Sequence, residues 1–117
     1  MWVGFLAVTV GGGILLTLGL LGLLEKLPPN HFAGIRTKYT LSTPEVWYAV
    51  HRAGAPVLVF SGVAVFSVGM AFLPFAITGN IPSGLGAIVL AALAVFTLGS
   101  VVASWRNGVT AARKELG

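Results

Sequence analysis

The side chains able to do acid–base or anion-binding chemistry crowd into one stretch, residues 30–52, which holds Asn30, His31, Arg36, Thr37, Lys38, Thr40, Glu45, Trp47, His51 and Arg52. Catalysis needs a positioned acid, base or nucleophile. The supply is short: three glutamates, no aspartate and no cysteine. Glu25 borders Lys26 and Glu115 lies in the C-terminal tail, so no paired-carboxylate site is expected. His31 and His51 lack metal-ligand spacing and a third ligand, which argues against a zinc site. No cofactor is expected, and the chain is read as a non-enzyme.

Binding chemistry is better supplied. Arg36 and Lys38 flank Thr37 beside Gly34, a composition that holds an anion through side-chain cations and backbone N–H groups. The competing use of these cations is orientation in the membrane and contact with headgroups. Glu45 reads as a capping residue before a base. Trp47 and His51 are four apart and share a helix face, so the simplest expectation is that His51 stacks on Trp47 and hydrogen-bonds the loop. Arg52 is expected to pair with Glu45 or to stack on Tyr48, seven and four residues earlier on the same side.

What positions this stretch is membrane helix. The 117 residues are 56% hydrophobic and 9% charged, against about 25% charged in soluble domains. A bilayer core of roughly 30 Å takes about 20 apolar residues per helical span. Trp2 to Leu24, Pro56 to Phe75 and Gly84 to Ser104 each qualify without a charge. The first lacks the basic start and short apolar core of a signal peptide and is read as retained. The fold class is therefore all-α, a single three-span membrane domain over residues 1–117.

All seven Lys and Arg lie between spans one and two or after span three. The positive-inside rule puts the loop and tail in the cytoplasm and the N-terminus outside, with Trp2 in the outer aromatic belt and Trp47 and Trp105 in the inner one. The net charge of +4 is then a topology signal plus attraction to anionic headgroups, and no nucleic-acid partner is expected.

Locally, Pro28 and Pro29 are expected to end the first helix, and Gly34 to allow positive φ or a close backbone approach. Either Ser42 with Glu45 forms a capping box, or Thr43 caps with Pro44 at the first helical position. The residues from Pro44 suit a short helix lying in the inner interface, with Gly54, Ala55 and Pro56 turning the chain into the second span as a kink or full break. Pro74 should close that span before a tight turn at Gly79 to Pro82. The third helix is expected to run past the bilayer into water. Small residues, including the steps Ala87/Ala91 and Gly99/Ala103, are expected mainly to pack the three helices together, or else to meet another chain.

At Asn30, the run Gly34, Ile35, Arg36, Thr37, then Thr40, Trp47, the pair His51 and Arg52, and Gly54, the chain resembles the SdpI family of bacterial membrane proteins, named for an immunity protein against a secreted peptide toxin. The family's type member is longer, with further membrane helices ahead of this region, and is associated with toxin immunity and capture of a cognate repressor at the membrane. The resemblance implies a bacterial inner-membrane protein that binds a peptide, lipid or protein through this motif. The expected binding residues are Asn30, His31, Gly34, Arg36, Thr37, Lys38, Thr40, Glu45, Trp47, His51 and Arg52. The expected partners are anionic lipid, a peptide toxin or membrane-protein partner, and a second copy of the chain. Two alternatives remain: an accessory subunit of a larger membrane complex, and an enzyme or oligomeric transporter for a lipid-derived substrate using His31, Arg36, Glu45 and His51.

Overall fold

A computed structural model describes residues 1–117 as three α-helices and no strand: α1 Trp2–Leu23, α2 Pro44–Ile77 and α3 Ser83–Leu116. Each is long and apolar enough to cross a membrane. Only 27 of 117 residues are buried, while large apolar side chains such as Leu6, Val10, Phe60, Met70, Ile88, Val95 and Leu98 face outward along all three helices. Such a surface needs lipid for its solvent.

α1 stops five residues before Pro28, earlier than the prolines require. The Lys26 N–H donates to the Leu21 carbonyl (2.8 Å) and the Glu25 N–H to the Gly22 carbonyl (3.2 Å), the pairing of a Schellman cap. Its left-handed position is filled by Glu25 at φ 56°, where glycine is usual. α2 ends with the same pairing, Asn80 N–H to Phe75 carbonyl (2.8 Å) and Gly79 N–H to Ala76 carbonyl (3.2 Å), and here Gly79 supplies the positive φ of 73°. Pro74 therefore lies inside the last turn of α2 and does not close it.

No separate interfacial helix is present. Residues 44–55 are the first turns of α2, which runs unbroken through Gly54, Ala55 and Pro56 to Ile77. At the start, Thr43 caps by accepting from the Val46 N–H (3.1 Å), with Pro44 at the first helical position; the Ser42 alternative is not used. A neighbouring helix supports α2 just before Pro56. Gly54 lies against the Ser104 backbone of α3, and the Ser104 hydroxyl donates to the Gly54 carbonyl at 2.9 Å, the kind of contact that lets a spanning helix carry proline.

α2 is the central helix and packs against both others. Its seam with α1 is built from glycines. A Cβ on Gly12 would lie 3.0 Å from the Phe66 Cα, one on Gly62 would lie 2.7 Å from the Leu16 Cα, and one on Gly19 would lie 2.9 Å from the Val59 N. Lipid gives no hydrophobic drive between helices, so backbone approach and van der Waals contact must hold them. The steps singled out on α3 do otherwise: Ala87 and Ala91 are exposed, and a Cβ on Gly99 would meet nothing within 4 Å.

At about 1.5 Å per residue, α2 and α3 are each near 51 Å long and α1 near 33 Å. Met1 reaches Gly86 near the start of α3 and Phe5 stacks on Phe72 near the end of α2, so α1 and α3 begin where antiparallel α2 ends, and the excess of α2 and α3 stands past the end of α1. Residues 24–43 fill that space. Loop and C-terminal tail share this end of the bundle: the Arg113 guanidinium lies 4.1 Å over the Tyr39 ring, and Val46, Ala49, Val50 and Ala112 form a small core against Ile35, Tyr39 and Val109.

The two kinds of glycine make opposite expectations. Gly62→Leu should lower the melting temperature in detergent and loosen the α1–α2 seam, at a cost of about 1–3 kcal/mol for overpacking. Gly99→Ala should leave stability unchanged or raise it by roughly 0.5–1 kcal/mol, the helix gain of Ala over Gly. Thermal melts of the two variants check this, and equal destabilisation would show that α3 packs through its outer face.

Candidate functional site

The loop between α1 and α2 is held by side chains that bind its backbone. The Asn30 carboxamide oxygen accepts from the Phe32 N–H (2.8 Å) and the Ala33 N–H (2.7 Å), and its amide nitrogen donates to the Pro28 carbonyl (2.9 Å). Thr40 is fully buried; its hydroxyl accepts from the Thr37 N–H (2.7 Å) and donates to the Ile35 carbonyl (2.7 Å), while the Thr37 hydroxyl accepts from the Thr40 N–H (3.2 Å). Trp47 reaches across from α2 and donates its indole N–H to the Leu27 carbonyl at 2.7 Å.

His51 joins the loop to the helix. The Ile35 N–H is an unambiguous donor, so His51 Nε2 accepts from it (2.8 Å); Nδ1 carries the ring proton and donates to the Trp47 carbonyl (2.7 Å). The ring also lies 4.2 Å from the Trp47 ring, tilted by 35°, as its four-residue spacing predicts. Gly34 completes the joint. Its φ is 107°, and a Cβ there would lie 2.8 Å from His51 Nε2 and 3.0 Å from the Trp47 ring, so both conformation and space demand glycine.

Two expectations about this cluster are corrected. Trp47 is fully buried because its N–H is spent on the loop, so it cannot serve in the inner aromatic belt; Trp2 and Trp105, 49% and 41% exposed, remain free to do so. Anion binding by the loop amides fails at positions 35 and 37, whose N–H groups already point at His51 and Thr40.

Arg52 also differs from expectation. It pairs with neither Glu45 nor Tyr48; one guanidinium nitrogen meets Glu25 at 2.5 Å and another meets Glu115 at 3.1 Å. One arginine thus ties the end of α1 and the tail of α3 to α2. These groups are half exposed, and such pairs contribute at most about 1 kcal/mol each, so the effect is alignment more than stability. Glu45, in the first turn of α2, joins the other two glutamates, Tyr48 and Arg52 around an open depression of about 380 Å³.

The expected binding residues thus separate into two sets. Asn30, Gly34, Thr37, Thr40, Trp47 and His51 face inward and are consumed in holding the loop, and Arg52 is taken by its two carboxylates. His31, Arg36, Lys38 and Glu45 are exposed, and their side chains have neither a hydrogen bond nor an ion pair among those formed in the molecule. Sequence reasoning passed over Phe32, which is 95% exposed, and the partners Glu25, Glu115 and Arg113, which no local spacing connects to the loop.

Gly34→Ala should speed hydrogen exchange at the Ile35 amide relative to its intrinsic rate, because the added Cβ would displace His51 Nε2. Amides inside α1, such as Leu16, serve as the control, and an Ile35 amide equally protected in both proteins would show that the close approach of Gly34 to His51 does not hold this hydrogen bond.

Against this geometry, comparison with protein-family models gives one match, the SdpI/YfhL protein family, over residues 26–104. That interval carries the loop, the whole of α2 and the membrane part of α3. No curated protein and no solved structure matches the chain. More than half of the chain falls within the family model, and the chain belongs to the SdpI/YfhL family.

Proposed function

We propose that this SdpI-family membrane protein is a non-enzymatic binding protein that engages its partner through the outward cations of the loop, with Arg36 as the principal contact. The supporting observation is that Arg36 is exposed and unpaired in a loop whose other polar residues are largely used up in holding its shape. Its planar fork of donors suits two-point binding of a carboxylate or phosphate, as a peptide, lipid or protein partner would offer. Lys38 and His31 flank it in sequence and add charge or donors. In this reading the N-terminus is outside the bacterial inner membrane, the loop and tail face the cytoplasm, and the toxin-immunity or signalling role of the family is carried out by binding. Both ring nitrogens of His51 hold backbone groups, which disfavours the enzyme and transporter alternatives that would use it. The accessory-subunit reading keeps one observation in its favour, the outward small residues of α3, where Gly84 and Gly99 face open space.

Arg36→Lys and Arg36→Gln should each reduce the peptide, lipid or protein that co-purifies in mild detergent, read by native mass spectrometry, by about tenfold or more, as expected from losing a charge-assisted pair worth roughly 1.5–3 kcal/mol. Stability should stay within about 0.5 kcal/mol, the usual range for a surface substitution. Undiminished capture by both variants, or a wild-type chain carrying nothing, would sink the proposal. For orientation, a cysteine introduced in residues 79–83 should label from outside intact cells and one at Lys38 should not; the chain has no native cysteine to interfere.

A further inference from the structure

The loop does not stand above the end of α1; it folds back along it. Ile35 is bonded to His51, and the backbone of His51 lies against Gly22, where an added Cβ would come within 2.8 Å of the His51 carbonyl oxygen. Gly34, Ile35 and His51 line a small, partly open space of about 80 Å³ together with Leu18, Leu58 and Val101. Leu18 lies five residues before the end of α1, so the loop reaches back by roughly 8 Å at 1.5 Å per residue. Leu58 and Val101 belong to the apolar stretches of α2 and α3. Non-helical backbone at that depth persists only where protein satisfies it, and at Ile35 His51 accepts from the N–H while Thr40 donates to the carbonyl.

Phe32 sits at the turn of this returning segment. It is the most exposed of the large apolar side chains, at 95%, and its own N–H is capped by Asn30 (2.8 Å). A lone exposed Phe on a soluble surface needs no explanation. Beside the last turns of a spanning helix, the medium outside is the boundary between acyl chains and headgroups. Lys26, Arg36 and Lys38 are exposed in the same loop and carry long stems that let a cation reach phosphates while the stem stays in apolar surroundings.

We propose that residues 28–38 form a re-entrant loop that inserts Phe32 into the headgroup–acyl boundary of the bilayer, with Lys26, Arg36 and Lys38 meeting anionic headgroups around it. The loop is thereby a membrane-contact surface in its own right, apart from whatever partner Arg36 selects. It rests on the depth of Gly34 and Ile35 and on the exposure of Phe32, so loss of the Arg36 partner reading leaves it standing.

Because the chain lacks cysteine, Phe32→Cys and Glu45→Cys each give one site for a nitroxide label. The probe is the full-length protein in vesicles of phosphatidylethanolamine and phosphatidylglycerol, with collision rates measured against oxygen, which concentrates in lipid, and a water-soluble nickel chelate. Position 32 should favour oxygen and exclude nickel, whereas position 45 should favour nickel. Nickel access at position 32 equal to that at position 45 would overturn insertion. Exclusion of both reagents would overturn it equally, by showing Phe32 covered by protein, either a second copy or a partner. A third single-site label, Leu98→Cys on the outward face of α3, fixes the lipid value within the same vesicles.

Discussion

Backbone amides that cannot face lipid are the constraint on which the rest of this molecule depends. Helices satisfy themselves, but residues 24–43 are largely non-helical and lie against the ends of three spans. An unpaired buried N–H costs about 1–3 kcal/mol, so several left open would outweigh the weak packing forces that hold helices together in lipid. The single hydrogen bond from Ile35 to His51 Nε2 is the central answer, because it fixes the loop to the helix that both other helices also touch. Asn30 and Thr40 secure the flanking turns, and Trp47 anchors Leu27 just after the cap of α1.

From that joint the spacing of the helices follows. The loop can reach His51 only if α1 lies close to α2, which Gly22 permits at the His51 backbone and Gly19, Gly12 and Gly62 continue down the seam. α3 closes from the other side through Ser104 on Gly54 and through Gly108, which lies against Val50. Arg52, one residue after His51, then takes carboxylates from the ends of both neighbours. The left-handed Glu25 belongs to this arrangement: the cap that ends α1 also sets the carboxylate that Arg52 holds.

The apolar runs made the three spans legible, and charge placement made it legible that loop and tail share one end. The Trp47–His51 contact followed from helical spacing alone. Continuity of α2 through Pro56 was not legible, because local proline chemistry argues for a kink or break and the contact that supports the helix there comes from Ser104, far away in sequence. For the same reason Arg52 was assigned to near neighbours when its partners lie on other helices. Glycine content announced close packing but not which glycines are used: Gly62 and Gly99 look alike in the chain, yet one touches backbone and the other faces open space. At the candidate site, residue type alone did not separate groups that hold the loop from groups that leave it.

That separation is positional. Across Ile35, Arg36, Thr37 and Lys38 burial alternates between partly covered and exposed, so neighbouring side chains here leave the loop on different sides. One side meets His51 and Thr40 and fixes the backbone; the other carries charge and has no role in that network. A substitution at Arg36 or Lys38 therefore changes what the loop offers to its surroundings without disturbing the bonds that shape it, whereas a change at Gly34, Thr40 or His51 removes the shape itself. A loop built this way keeps one geometry while its outward groups are free to suit different partners, which separates the question of how the family folds from the question of what each member binds.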